Sequence, residues 1–294
     1  MNSNINTARL QKAYTKKIHK PFLNSKPGEI IGHPFMKWAG GKKSLLAQII
    51  PHLPRKFNCY YEPFLGGGAL FFALQPKGAV LTDVNQNLIN VYVEVRDNVE
   101  KIISSLKELP YNKEIYYEIR DYKPSDPTLQ AIRMLYLNRT CWNGLYRENL
   151  KGEFNVPFGD FKNPTICDEN ALRRASEALK NTLIRSTDFE ESLSYVREGD
   201  FVFLDPPYTV LNESDRFTKY NSNIFSWEDQ KRLAKTAVEL ANKGAFVVVT
   251  NAHNKEIKQL YTGFRRRILR RSSTISGKSK GRKKTTEYLL LGSN

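Results

Sequence analysis

Tyr60-Tyr61-Glu62-Pro63-Phe64-Leu65-Gly66-Gly67-Gly68 decides the fold. It reads as a short strand, a glycine turn and then the helix-like run Ala69 to Leu74. Glycines directly after a strand allow a tight turn where backbone approaches a ligand closely. A second apolar strand follows, Ala79-Val80-Leu81-Thr82, closed by Asp83, and then a long helical pattern from Asn85 to Leu106. Strand, glycine turn, helix, strand, acid, helix is a βαβα unit, which predicts an α/β sheet protein. The turn lacks the G-x-G-x-x-G spacing, so Asp83 matters. An acid one βα unit beyond the turn is placed to accept two ribose hydroxyls. The plain alternative is an Asp83 that caps the following helix.

Downstream, the apolar run Phe201-Val202-Phe203-Leu204 leads into Asp205-Pro206-Pro207-Tyr208. In an open α/β sheet the carboxyl ends of strands are where ligands bind. Two prolines remove backbone donors and fix local φ, so nearby carbonyl oxygens are presented in a set direction. A carboxylate, such a carbonyl and a flat ring suit a planar heteroaromatic amine: two acceptors for its N–H groups and a face to stack on. That pattern points to methylation of an exocyclic amino group. A strand that simply ends in an Asp-Pro turn is the dull counterpart.

Upstream, Gly40-Gly41-Lys42-Lys43-Ser44 fails the phosphate-loop spacing. It is either a helix start with solvated lysines, or a place where Lys42 meets a cofactor carboxylate and Trp38 shapes the pocket wall. Leu45, Leu46, Ile49 and Ile50 carry helical spacing.

The whole chain has 294 residues, enough for one large domain with an inserted module. Lys plus Arg total 46 against 30 Asp plus Glu, a net +16 that favours polyanionic partners, nucleic acid first among them. No apolar stretch is long enough to span a bilayer. Cys59, Cys141 and Cys167 are widely spaced, and the histidines form no ligand pair, so neither a disulfide framework nor a metal site is expected. A reducing, cytoplasmic setting associated with the nucleoid is the expectation. Residues 1–33 read as a flexible basic arm without the apolar core of a secretory signal.

The order of these motifs resembles one family. Trp38-Ala39-Gly40-Gly41-Lys42, Glu62 to Gly68, Asp83, a long insert, then Asp205-Pro206-Pro207-Tyr208 are similar to the α-class DNA adenine-N6 methyltransferases, Dam branch. The likeness runs from about Pro34 to Leu291. It implies a Rossmann-like S-adenosylmethionine-dependent core over residues 34–110 and 183–294, and a mostly helical target-recognition insert with a hairpin over 111–182. Trp38, Lys42, Phe64, Gly66, Asp83, Asp188, Phe189 and Asp205 would then contact S-adenosylmethionine. Asp205, Pro206, Pro207 and Tyr208 would hold the adenine.

The resemblance further implies a DNA-reading hairpin over Asn138 to Arg147 and Gly152 to Gly159. Arg139, Trp142, Asn143, Leu145, Arg147, Asn155 and Pro157 are its expected contacts. Arg147 would fork onto a guanine edge, with Leu145 and Pro157 near a thymine methyl. Trp142 stands where the family has an aromatic wedge for the gap left by a flipped base; a core tryptophan is its alternative. Asp160 and Phe161 depart from the family pattern, which puts the flanking contacts in doubt.

From Arg265 to Lys284 ten residues are basic and none acidic, so Lys278, Arg282 and Lys283 are expected on DNA phosphates. Double-stranded DNA, at GATC, is thus the expected partner of a monomer. A cognate restriction endonuclease is compatible, with no protein contact implied. RNA or protein-amide methylation, and a silent DNA-binding relative, are the rival readings. No cysteine follows a proline, which counts against a cytosine-C5 mechanism.

Overall fold

The computed structural model describes residues 30–149, 152–209, 225–272 and 284–292. The basic arm, apart from its last four residues, and Lys278, Arg282 and Lys283 lie outside the described residues.

Seven strands form one sheet: β1 (Tyr60–Glu62), β2 (Ala79–Asp83), β3 (Thr182–Ser186), β4 (Phe201–Leu204), β5 (Phe246–Ala252), β6 (Arg265–Ser272) and β7 (Lys284–Gly292). Their order is β3-β2-β1-β4-β5-β7-β6. The first five run parallel. Strand β7 is antiparallel to both neighbours, with Thr250 facing Leu289 and Ala252 facing Glu287. Reversal of β7 has a functional consequence. Its first residues lie beside the carboxyl end of β5, on the edge where an α/β sheet binds ligands.

Strands covered on both faces read as unbroken apolar runs. All four residues of β4 are buried, as are Val247 to Val249 of β5. Each fully buried side chain of this size stabilises the fold by roughly 1.5–3 kcal/mol. Helices flank the sheet: α1 (Leu46–Ile49), α2 (Ala69–Leu74), α3 (Gln86–Asp97), α4 (Val99–Glu108), α5 (Lys113–Asp121), α6 (Pro127–Thr140), α7 (Glu169–Leu179), α8 (Phe189–Leu193), α9 (Trp227–Asn242) and α10 (Lys255–Leu260). Ser226 and Asp229 close a reciprocal capping box at the start of α9, as their spacing predicts.

Three local expectations needed correction. The strand read from Tyr60 to Leu65 stops at Glu62, because Pro63 has no N–H for a ladder. The long helix over 85–106 is two helices hinged at Asn98 (φ −128°, ψ 30°), whose side chain bonds Glu94 instead of continuing the helix. The amphipathic run at 45–50 is a single α-turn between two 3-10 turns, since Pro51 cannot extend it.

The segment 111–182 supplies α5, α6 and α7, all within the crossover between β2 and β3. Ala131 and Leu135 of α6 and Leu172 of α7 join Leu88, Val91 and Ile102 of α3 and α4 in one hydrophobic cluster.

Candidate active site

The glycine turn after β1 needs its glycines. Gly66 (φ +47°) and Gly68 (φ +63°) occupy left-handed backbone, where an L side chain is strained. A Cβ on Gly66 would come within 2.9 Å of Trp38 Cδ1, so the turn wraps the indole directly. Asp83, at the end of β2, accepts hydrogen bonds from Gly66 N and Asn85 N, both at 3.0 Å. The cap of α3 is Asn85, whose side chain receives Leu88 N. Capping does not explain Asp83. Burial raises the pKa of its carboxyl, and backbone N–H groups oppose the rise.

Beside this turn, Phe64 packs against Phe189 and Phe225, each with ring centroids 5.5 Å away. Asp188 caps α8 and pairs with Arg232 at 3.1 Å, while Arg232 also covers the Phe189 ring. Turn, acid and aromatic wall thus line up along the carboxyl ends of β1 and β2. An acceptor carboxylate beside a glycine turn and an aromatic wall suits a nucleoside: diol on Asp83, base against the phenylalanines.

At the next strand end sits the charged centre. Lys42, only 3% exposed, reaches Asp205 with Nζ 2.6 Å from Oδ1 and 2.8 Å from Oδ2. The same ammonium donates to the Gly40 carbonyl at 2.7 Å and lies 4.9 Å from the centroid of the Tyr208 ring. Lys42 is thus not a solvated lysine at a helix start; its ammonium pairs with the Asp205 carboxylate. A buried ammonium needs a counter-charge, and Asp205 is the nearest one. Thr250 Oγ1 donates to Asp205 Oδ1 at 2.7 Å. Burial raises the pKa of Asp205, and the Lys42 charge and hydrogen bond oppose that rise. The pairing favours an ionised Asp205, an acceptor of hydrogen bonds.

The two prolines are held from behind. Gln230 of α9 donates to the Pro207 carbonyl at 3.0 Å and accepts from Asn251 Nδ2 at 2.9 Å. Both amide side chains are fully buried. Tyr208 Oη donates to Glu287 Oε2 at 2.6 Å. Sequence reasoning missed Glu287, Gln230, Asn251 and Thr250. Glu287 carried a signal: it is the sole acid between Arg265 and Asn294, and it opens an apolar strand.

The expected reading segment lies across a shallow surface. Cys141 bridges Phe158 and Glu148 bridges Phe154 in antiparallel pairs, with Trp142 N bonded to the Pro157 carbonyl at 2.9 Å. Trp142 is 48% exposed, so it is not a core tryptophan. Asn143 follows in left-handed backbone (φ 58°), and Leu145 is half-buried. Arg147 is exposed, and its Nε donates to Asn155 Oδ1 at 2.8 Å. Pro157 is exposed as well.

Arg139 is placed differently. It is half-buried and donates to the Phe35 carbonyl at 2.7 Å, bracing the chain rather than standing open to a partner. Its neighbour Asn138, fully buried, bonds Lys37 N and O and the Gly144 carbonyl. Trp38 stacks on Tyr146 with centroids 5.0 Å apart. The reading segment and the cofactor-side turn are therefore joined through Trp38 and Asn138.

Among the described residues no group of three or more His, Cys, Asp or Glu is arranged to hold a metal ion. No helix among them is long and apolar enough to cross a membrane.

A profile of the D12 class N6 adenine-specific DNA methyltransferases matches residues 38–275. The chain is 40% identical over 267 residues to the Type II methyltransferase M1.LlaDCHI of Lactococcus lactis subsp. cremoris, covering 87% of this chain and 94% of the relative. Against the Type II methyltransferase M.MjaIII of Methanocaldococcus jannaschii it is 39% identical over 282 residues, 88% and 98% of the two chains. The DNA adenine methylase of Escherichia coli strain K12 is 35% identical over 263 residues, 87% and 94%. A match of that extent, spanning the glycine turn, the Asp-Pro-Pro-Tyr edge and the segment between them, places this chain in the family of D12 class N6 adenine-specific DNA methyltransferases.

Proposed function

We propose that this adenine-specific DNA methyltransferase uses S-adenosylmethionine to methylate N6 of an adenine turned out of duplex DNA, within GATC. The observation that supports the reading is the Asp205–Tyr208 edge, where the Lys42-paired Asp205 carboxylate and the anchored Tyr208 ring flank two prolines at the carboxyl end of β4, the strand next to the one that leads into the glycine turn.

Trp38, Lys42, Phe64, Gly66, Asp83, Asp188, Phe189 and Asp205 would hold the cofactor, with Lys42 also fixing Asp205. When bound, S-adenosylmethionine supplies an electrophilic methyl group on a sulfonium. The chain's own work is on the base. Tyr208 offers the face on which adenine stacks. Asp205 and the Pro206 carbonyl accept the two N6 hydrogens, which draws the nitrogen lone pair out of conjugation with the ring. Lys42 and Thr250 keep the Asp205 carboxylate in one orientation, so little reorganisation is needed at reaction. Gln230 and Asn251 hold the second proline in register.

Recognition is assigned to the segment 138–159, with Trp142 entering the gap left by the base and Arg147 reading guanine. Its Asn155 bond already restricts the guanidinium, which lowers the ordering cost on binding. Lys278, Arg282 and Lys283 are assigned to phosphates. A monomer acting in the cytoplasm on the nucleoid is the setting this reading supposes. Pairing with a restriction endonuclease agrees with the names of the two Type II relatives.

The test is transfer of labelled methyl from S-adenosylmethionine to duplexes with and without GATC, followed by nucleoside analysis. N6-methyladenine confined to GATC is the expected product. Methylation at another sequence would keep the chemistry and discard the reading of the segment 138–159. DNA binding without transfer would identify a silent member of the family.

A further inference from the structure

A carboxylate that no motif marks lies inside the charged centre. Glu287 is buried on β7, beside Ala252 of β5 and Leu269 of β6. Burying an acid is costly unless it is paired. Two of its three pairings lead to the Asp205–Tyr208 edge. Oε2 accepts the Tyr208 phenol at 2.6 Å and stands 3.9 Å from Lys42 Nζ. Oε1 is 2.9 Å from Arg271 Nε, close enough for an ion pair though off the hydrogen-bond direction.

We propose that Glu287 is a positioning residue for methyl transfer: it fixes the Tyr208 ring and offers Lys42 a second counter-charge. The proposal rests on the function argued above and extends it to the far side of the sheet. Two positive groups, Lys42 and Arg271, and two carboxylates, Asp205 and Glu287, form one balanced cluster drawn from four segments. Without Glu287, Tyr208 keeps its ring and loses this anchor, and Lys42 is left to Asp205 and the Gly40 carbonyl. When a base takes up hydrogen bonds to Asp205, the nearby Glu287 is placed to compensate the lysine.

A purely structural ion pair between β6 and β7 is the competing account. It predicts a loss of stability and nothing at the chemistry. The two differ in pH dependence, because Asp205 faces several charges. Lys42 and Thr250 stabilise its ionised form, and Glu287 opposes it. Across β1, Glu62 and Tyr60 respond to the Asp205 charge as well. Removing the Glu287 charge makes Asp205 easier to ionise.

The experiment uses the full chain with duplex DNA and S-adenosylmethionine. It measures kcat, KM and the pH profile of kcat/KM for wild type, Glu287→Gln, Glu287→Ala, Tyr208→Phe and the Ala–Phe double variant. Glu287→Ala and Tyr208→Phe should each lower kcat about tenfold, the value of one charge-assisted hydrogen bond. The double variant should fall no further than about twofold below the more impaired single variant, since the Tyr208–Glu287 bond is already absent in each. Glu287→Gln keeps an acceptor for the phenol, so kcat should stay within about threefold of wild type. Its acid limb should move to lower pH. If Glu287→Ala fails to fold, Gln and Tyr208→Phe still decide. Unchanged kcat in Tyr208→Phe together with an unmoved acid limb in Glu287→Gln would overturn the proposal. A wild type that transfers no methyl to adenine would instead sink the function on which it rests.

Discussion

The Asp205–Tyr208 edge and the segment 138–159 differ in what they present to solvent. At the edge, Lys42, Asp205, Thr250, Tyr208 and Glu287 hold each other through bonds of 2.6–2.8 Å, mostly out of water. The segment 138–159 is anchored from beneath by Asn138, Arg139, the Trp38–Tyr146 stack and buried Phe154 and Val156, yet it presents Trp142, Arg147 and Pro157 to solvent. Beneath it a cleft of about 650 Å³ opens, lined by residues such as Arg133, Tyr146 and Asn155. Chemistry that is the same at every turnover gains from groups fixed in advance. Recognition of a long polyanion gains from side chains that stay accessible until DNA arrives. Substitutions in the two regions should therefore fail in different ways.

The largest effect is expected at Asp205. Asp205→Asn should cut kcat by about 10³-fold or more, as loss of a preorganised electrostatic group does. Nonspecific DNA binding, measured by fluorescence anisotropy, should be nearly unchanged. Asp205→Ala would be a poorer test, because a buried lysine left without its partner costs about 3–5 kcal/mol of stability. Substantial turnover by the Asn variant would break the contrast at its stronger end.

Trp142→Ala comes next. An exposed side chain away from the core should change stability by no more than about 0.5 kcal/mol in thermal denaturation. Methylation of a matched duplex should nonetheless slow by about tenfold or more, because a wedge contributes to unstacking. A target adenine placed opposite a mismatch should recover most of the loss. Equal losses on matched and mismatched DNA would assign Trp142 some other part.

A smaller effect sharpens the comparison from inside the sheet. Glu62 is buried at the end of β1 and accepts from Tyr60 Oη at 2.8 Å. Burial pushes its pKa up from 4.5 to about 8. The folded state thus binds this proton more tightly than the unfolded chain does. By linkage, stability falls as pH rises between the unfolded value of 4.5 and the folded value of about 8, and the loss is complete above it. Glu62→Gln should flatten the pH dependence of the unfolding free energy across that window, by an amount on the order of a few kcal/mol. An unchanged slope would mean that Glu62 is not the group being titrated.

Much of this was readable in the chain. The turn at Gly66–Gly68, Asp83 and the buried strand before Asp205 all announce themselves through local chemistry, and each is where it was expected. Local pattern was weaker where two signals competed, as at Asn98 and Pro51. The partners of the motif were hidden for a different reason. Lys42 and Asp205 are 163 residues apart, and Tyr208 and Glu287 are 79 apart. Only the sheet order, with β7 turned against β5, brings those pairs together. Arg139 shows the converse, since basic character alone does not tell a surface donor from a brace on the Phe35 carbonyl.

The separation of chemistry from recognition is tested most directly at Arg147. Single-turnover methylation at saturating DNA would be measured for wild type and Arg147→Ala, on a GATC duplex and on one with the first guanine replaced. The account predicts that discrimination at that base falls by about 1–3 kcal/mol while the maximal rate on GATC stays within a few-fold. A variant whose maximal rate collapses, with discrimination intact, would contradict it.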